Sequence, residues 1–151
     1  MSNKKHSNEL GFVVVHDPVR FYSTPVIKML KETGLSRDIT FCENAKEALD
    51  LVESSVKAPK VFFIDGRIPN CGAFNEEKEP GENLFHSGTK LYLKIREKHP
   101  TASVVIFTTD HRELVYLNGL HDSHLRVLQA DLDLKDHIAL IIRKTTKPSR
   151  V

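Results

Sequence analysis

The stretch Lys60–Asn70, KVFFIDGRIPN, contains a continuous apolar run that ends on a carboxylate. The run Val61 to Ile64, rich in β-branched and aromatic side chains, is typical of a strand that is buried on both faces inside a parallel sheet. Such a strand delivers its last residue to the carboxyl edge of the sheet, where open α/β sheets bind ligands. Asp65 is therefore predicted at the position of a functional carboxylate, although an Asp that caps a tight Asp-Gly turn gives the same pattern.

Apolar strands of this kind alternate with amphipathic segments along the rest of the chain. Strands are predicted at 11–17, 38–42, 61–65, 103–110 and 125–130, and helices at 24–34, 44–55, 89–99, 112–119 and 134–144. Strands that alternate with helices through short loops require right-handed crossovers and a parallel sheet. We therefore predict an α/β fold: a flavodoxin-like, doubly wound, five-stranded parallel sheet of order 2-1-3-4-5 with helices on both faces. The first strand-to-helix turn reads HDPVRF and lacks the glycines of a dinucleotide site.

The composition limits the class of protein. A chain of 151 residues with 40% hydrophobic and 28% charged residues is the size and type of one soluble domain. A net charge of +2 is too small to indicate nucleic-acid binding. The two cysteines cannot form a disulfide framework, and the polar N-terminus has no apolar core of a signal peptide or membrane anchor. We expect a cytoplasmic protein without membrane contact, with a disordered lead-in at 1–10, one domain at 11–144 and a flexible tail at 145–151.

Polar residues follow three of the predicted strands. Asp17 follows the first strand, Asp65 the third, and Thr108 and Thr109 the fourth. The first and third strands are neighbours in this sheet order, so Asp17 and Asp65 are predicted to meet across one crevice. Two close carboxylates favour a shared proton or a divalent cation, and oxygen ligands of this kind suit Mg²⁺. A carboxylate beside Mg²⁺ can also attack a phosphoryl group and form an aspartyl phosphate.

At this point the sequence resembles a known family, the receiver domains of bacterial two-component response regulators, over residues 11–144. The segments that carry the resemblance are VVVHDP, FFIDGRIPN, NAKEALDLV, GTKLYLKIR and VVIFTTD. The resemblance implies that Asp65 is the phosphoacceptor and that Asp17 binds the metal. It also implies that the backbone carbonyl of Arg67 is a further metal ligand and that Thr108 supplies the switch hydroxyl.

Two departures from the family pattern weaken the predicted site. The family has two successive acids after the first strand, and here His16 replaces the first of them. The family also has a lysine after the fifth strand, where this chain has Gln129 or Ala130. Losing an ammonium from a partly desolvated anionic site costs roughly 2–5 kcal/mol. His16 weakens Mg²⁺ binding and supplies a positive charge of its own only below about pH 6.5, and the β-branched Thr109 narrows the access of a phosphodonor.

The predicted function is that of a stand-alone, atypical receiver-like domain that acts through protein–protein interaction, with weakened or absent phosphorylation at Asp65. It is not predicted to be an enzyme beyond self-phosphorylation from a phosphodonor. Its partner would be a histidine kinase or a downstream signalling protein. The resemblance places the interaction surface at Leu114, Val115, Tyr116 and Arg126. The alternative is a small flavodoxin-fold enzyme or ligand-binding protein that uses the crevice between Asp17 and Asp65.

A long polar insertion at 70–88 follows the strand of Asp65, where the family has a very short loop. Loops of this length are usually lids, binding elements or disordered inserts. Its acids Glu76, Glu77, Glu79 and Glu82 would add negative potential beside the crevice. We interpret it as a partner-specific or occluding loop; a solvated surface loop, pinned by Phe74, Leu84 and Phe85, is the alternative.

Overall fold

The computed structural model describes residues 11–17, 23–32, 39–55, 57–74, 86–130 and 134–146. The predicted lead-in at 1–10, the end of the predicted tail and the insertion at 75–85 lie outside these described residues, as do the four glutamates of the insertion.

The described residues form a five-stranded sheet of order β2-β1-β3-β4-β5 in which every neighbouring pair is parallel. The strands are β1 Phe12–Val15, β2 Ile39–Cys42, β3 Val61–Asp65, β4 Val104–Thr108 and β5 Leu125–Gln129. The helices are α1 Ser23–Lys31, α2 Ala45–Ser54, α3 Ser87–Lys98, α4 His111–Gly119 and α5 Leu134–Thr146. The predicted fold and strand order are confirmed.

The two faces of the sheet bury two separate apolar clusters. Val13, Val15, Phe62 and Ile64 pack on one face against residues of α2, α3 and α4. Phe12, Val14, Val61 and Phe63 pack on the other face against residues of α1 and α5. All five residues of β3 are buried, which explains why its sequence is a continuous apolar run and does not alternate. Each fully buried large side chain contributes about 1.5–3 kcal/mol of transfer free energy.

Side-chain caps fix the beginnings of α2 and α4. Asn44 accepts a hydrogen bond from the backbone N–H of Glu47 at 2.8 Å, and the Glu47 carboxylate accepts one from Glu43 N at 2.9 Å. This reciprocal capping confirms the predicted start of α2. Asp110 caps α4 without such reciprocity: its carboxylate accepts from the N–H groups of Arg112 and Glu113.

The first residues of the insertion fold back on themselves. The side chain of Asn70 accepts from Phe74 N and donates to Phe74 O, both at 2.8 Å. Between them, Cys71 and Gly72 have φ angles of 50° and 87°, in the left-handed region. Phe74 is half-buried and packs against the cluster of α2 and α3. The first residues of the insertion therefore form an ordered turn, and the ring of Phe74 anchors that turn to the core.

A polar network joins α3 to the turn between α4 and β5. The Asp122 carboxylate accepts from Arg96 Nε at 2.8 Å and also from the hydroxyl of Tyr92. Its other oxygen accepts from His124 N at 2.8 Å. The polar sequence HDSH at 121–124 thus forms a turn, and Asp122 connects that turn to α3. None of the helices in the described part of the chain has the length and apolarity needed to cross a membrane.

Candidate functional site

The register of the sheet brings the predicted site residues to one edge. Val15 of β1 pairs with Ile64 of β3, so Asp17 and Asp65 follow neighbouring strands at nearly the same level. Asp65 in turn pairs with Phe107, the residue before Thr108. Asp65 and Thr108 are fully buried and Asp17 is 8% exposed. The sequence placed these three residues at the carboxyl edge, and the strand register is consistent with that placement.

A tight turn after β3 orients the Asp65 carboxylate. Its Oδ1 accepts a hydrogen bond from Arg67 N at 2.9 Å, while Gly66 N donates to Phe107 O at 2.9 Å. A Cβ on Gly66 would lie 3.0 Å from Thr108 Cβ, closer than ordinary side chains pack. The carbonyl of Arg67 therefore belongs to a turn that is held by hydrogen bonds to β4 and to the Asp65 carboxylate.

The Thr108 hydroxyl sits at the junction of this turn with α4. Its Oγ1 accepts from Asp110 N at 3.1 Å. Since that bond uses the oxygen as acceptor, the hydroxyl proton remains available for donation to an anion. Thr109 is exposed at the same edge.

The side chain of His16 is buried against β2 and is not exposed to solvent at the edge of the sheet. Its ring meets the ring of Phe41 edge-on, with centroids 6.1 Å apart, and its backbone N–H donates to Cys42 O. Burial lowers the pKa of His16; Glu43 works against this shift and the Lys31 ammonium adds to it. His16 is consequently less protonated near neutral pH than an ordinary histidine.

Gln129 and Ala130 occupy the end of β5, where the family has its lysine. Gln129 pairs with Thr108 and is exposed, whereas Ala130 is buried in the same cluster as Phe63. Phe63 and Asp65 are two residues apart on one strand, so their side chains leave the same face. Of the two positions, 130 therefore lies on the Asp65 side of the sheet.

Three further residues beside this edge were not singled out as site residues by the sequence. The His86 imidazole lies 3.0 Å from Asp110 Oδ2, and Glu113 Oε2 accepts from His86 N at 2.7 Å. Together His86, Asp110 and Glu113 form a group with metal-ligand atoms within 4.8 Å of one another. His86 is separated from the other two by 24 and 27 residues, so no local spacing reveals the group.

The residues predicted as an interaction surface differ in their exposure. Val115 is 59% exposed and Arg126 is also exposed. Leu114 is half-buried, and Tyr116 packs against the cluster of α2 and α3. Val115 and Arg126 are therefore the members of this set that present most side chain to a partner.

Comparisons with known proteins bear on the fold. No protein-family model and no curated protein matches the sequence. The non-phosphorylated receiver domain of HemR from Leptospira biflexa is 13% identical, with 94% of this chain and 98% of that chain covered at a TM-score of 0.63. The Mn²⁺-bound form of response regulator Rcp1 is 14% identical, with 93% and 98% covered at a TM-score of 0.61.

A third similar structure has a different name. The adenylate cyclase from Rhodopirellula baltica is 23% identical, with 93% of this chain and 87% of that chain covered at a TM-score of 0.59. Most of the similar structures are nevertheless receiver domains. Together with the sheet order and the buried acids at its carboxyl edge, these similarities lead to one conclusion: the chain has the fold of response-regulator receiver domains.

Proposed function

We propose that the chain is an atypical receiver-like signalling domain in which Asp65 accepts a phosphoryl group weakly and the signal leaves through contact with another protein. The observation that carries the proposal is the buried Asp65 carboxylate, held by Arg67 N at the edge of the sheet where β4 ends on Thr108. The uncharged residues at the end of β5 are the reason for expecting weak phosphorylation.

The donor set at this edge fits a divalent cation of the hard type. Asp17 and Asp65 are both buried and belong to the ends of neighbouring strands, and carboxylates that are brought together favour a bound divalent cation. Their oxygens, with the Arg67 carbonyl, would hold Mg²⁺, which prefers a few such ligands and retains several waters. When bound, Mg²⁺ would neutralise charge on the incoming phosphoryl oxygens.

The chain's own groups supply the remaining steps. A carboxylate oxygen of Asp65 forms the new bond to phosphorus, while the bond between phosphorus and the donor's leaving group breaks and the electron pair departs with that group. The hydrogen bond from Arg67 N restricts the rotation of the carboxylate. In this proposal the Thr108 hydroxyl would donate to a phosphoryl oxygen, and redirecting it would change the Thr108–Asp110 contact at the start of α4.

The proposed output is a contact with a histidine kinase or a downstream signalling protein, made in the cytoplasm by a domain that is not itself an enzyme. The exposed side chains of Val115 and Arg126, on α4 and β5, support this surface. Neither nucleic acid nor a membrane is proposed as a partner.

Replacing Asp65 with Asn is expected to abolish phosphoryl labelling, because the amide cannot act as the nucleophile. The full chain would be incubated with Mg²⁺ and acetyl phosphate, and intact mass would report the phosphoryl adduct. Asp136→Asn, the same change at an exposed position on α5, should keep the wild-type labelled fraction. Labelling that persists in Asp65→Asn, or a folded wild-type protein that is never labelled, would refute phosphorylation at Asp65; turnover of a small substrate would favour an enzyme instead.

Replacing Ala130 with Lys is expected to increase the labelled fraction or the adduct lifetime at least about tenfold, since a partly desolvated ion pair is worth more than about 1.4 kcal/mol. Gln129→Lys is the matched control, because Gln129 lies next along the strand and is exposed. The measurement is the same labelling time course, followed after removal of the donor. Equal effects of the two lysines, or no effect of Ala130→Lys in a folded protein, would contradict the assignment of position 130.

A further inference from the structure

The junction between the insertion, α3 and α4 contains a buried acid that the proposed phosphorylation does not use. Glu113 is 1% exposed although it belongs to the first turn of α4. Its Oε2 accepts from His86 N at 2.7 Å. Its Oε1 has no hydrogen-bond partner among the described residues, and lies close to Gly66, where a Cβ would be 3.4 Å away. A buried carboxylate oxygen that has no hydrogen-bond partner loses its hydration without compensation and destabilises the fold.

His86 and Asp110 lie close enough to the Glu113 carboxylate for the three residues to form a group of possible metal ligands. His86 Nε2 and Asp110 Oδ2 are 3.0 Å apart, a separation suited to two ligands of one metal ion. The ligand atoms of all three residues lie within 4.8 Å of one another. The three residues come from the end of the insertion and the beginning of α4, so the group joins two segments that are distant in sequence.

Hydrogen bonding alone explains only part of this arrangement. The cap on α4 accounts for Asp110 Oδ1, the contact with His86 Nε2 accounts for Asp110 Oδ2, and the bond from His86 N accounts for Glu113 Oε2. None of these bonds accounts for the burial of Glu113 Oε1, since a partially solvated carboxylate would accept from His86 N equally well. A cation at this point would compensate two carboxylates and take the imidazole as its third ligand.

We propose that His86, Asp110 and Glu113 bind a divalent transition-metal ion, for which Zn²⁺ is the probe. An imidazole with two carboxylates suits Zn²⁺ and similar ions better than Mg²⁺, which prefers all-oxygen sites. The ligands of this site are not those of the proposed Mg²⁺ site: they are the N-cap and a first-turn residue of α4 and the residue that precedes α3. A bound metal ion would link His86, at the end of the insertion, to the start of α4, which follows Thr108 in the chain. The proposal does not depend on phosphorylation of Asp65.

The test is isothermal titration of the metal-free full chain with Zn²⁺, in the wild type and in His86→Gln and Glu113→Gln. Glutamine at 113 can still accept from His86 N, so the variant keeps the contact that a purely structural role would need. We expect each variant to weaken Zn²⁺ binding by at least the ~10–100-fold that follows loss of an outer-shell partner. His137→Gln, on the exposed side of α5, should leave the affinity unchanged.

A second measurement needs no variant. The side-chain nitrogen signals of His86 in the NMR spectrum of the wild-type protein should shift as Zn²⁺ is added, while those of His137 stay in place. Zn²⁺ affinity should be retained in Asp65→Asn, which separates this site from the proposed Mg²⁺ site. Zn²⁺ binding that is unchanged in both ligand variants, that is lost in Asp65→Asn, or that leaves the His86 signals unmoved would overturn the proposal, as would the absence of binding to the folded wild type.

Discussion

Replacing Gly88 with Ala is expected to destabilise the protein by about 3 kcal/mol or more, because overpacking against fixed atoms costs 1–3 kcal/mol and occasionally more. A Cβ at position 88 would lie 2.5 Å from the carbonyl oxygen of Asp65 and 2.5 Å from Gly66 Cα. Both atoms are backbone, so no side-chain rotation can relieve the overlap. Gly88 N also donates to Gly66 O at 2.9 Å, which holds the two glycines together.

The measurement is the free energy of unfolding in urea, and the chain offers a matched control. Gly119 lies at the end of α4, and a Cβ there would meet no atom within 4 Å. Gly119→Ala is therefore expected to be neutral or to stabilise by about 0.5–1 kcal/mol, since alanine has the better helix propensity. Equal stabilities of the two variants would show that α3 can move away from the β3 turn at little cost.

The Gly88→Ala variant should also affect the site. Relief of the overlap requires α3 to shift away from the Asp65–Gly66 peptide, or that peptide to move, and the Asp65 carboxylate is held by the same turn. We expect a lower labelled fraction than in wild type under conditions where the variant is still folded, whereas Gly119→Ala should match wild type.

Replacing Asp122 with Asn is expected to cost about 2 kcal/mol, since hydrogen bonds to charged groups contribute about 1.5–3 kcal/mol. The carboxylate and Arg96 form a pair at 2.8 Å whose side chains are only 15% and 19% exposed. Burial also raises the pKa of Tyr92 to about 12, helped by its bond to Asp122, so the hydroxyl remains a donor at neutral pH. Asp50→Asn is the control. The side chains of Asp50 and its partner Lys46 are both more than half exposed, and surface pairs of this kind on a helix contribute about 0.3–0.5 kcal/mol.

The stability that Asp122 contributes should depend on pH. Burial opposes ionisation, but the hydrogen bonds from Tyr92, His124 N and Arg96 outweigh it, so the pKa of Asp122 is lowered. A lowered pKa in the folded state means that the contribution is complete above the ordinary value of about 3.9 and is lost as pH falls through the folded-state pKa. The difference in unfolding free energy between wild type and Asp122→Asn should therefore be constant near neutrality and shrink below about pH 4. A difference that is unchanged at low pH would exclude the charge as its source.

The sequence was informative about the sheet because each strand carries its own signal. The run Val61 to Ile64 is apolar on both faces, and a buried parallel strand is the structure that such a run permits. Asn44 and Glu47 likewise mark the start of α2 within four residues of chain. Helix ends were less well predicted. The structure begins α3 at Ser87, whereas apolar periodicity placed its start at residue 89, because Gly88 is held by its contact with the turn after β3 and not by helical periodicity.

The candidate site also has parts that the sequence could predict and parts that it could not. Asp17, Asp65 and Thr108 could be placed because each follows a recognisable strand, and a known strand order brings strand ends together. The sequence could not decide whether Gln129 or Ala130 aligns with the lysine of the family. A shift of one residue along a strand moves the side chain to the opposite face of the sheet. The charge of His16 could not be judged either, since its pKa depends on the burial of its ring beside Phe41.

By itself, the sequence determined the order of elements, the two-faced apolar core and the edge at which the acids collect, because these follow from local periodicity and chain connectivity. Only the tertiary structure decided which residues meet: Gly88 against Gly66 and His86 with Asp110 and Glu113 beside that edge, and Asp122 with Arg96 in the turn before β5. Such contacts depend on the positions in which loops and helices pack on the sheet and on how completely water is excluded between them. A local pattern of residues does not determine either property.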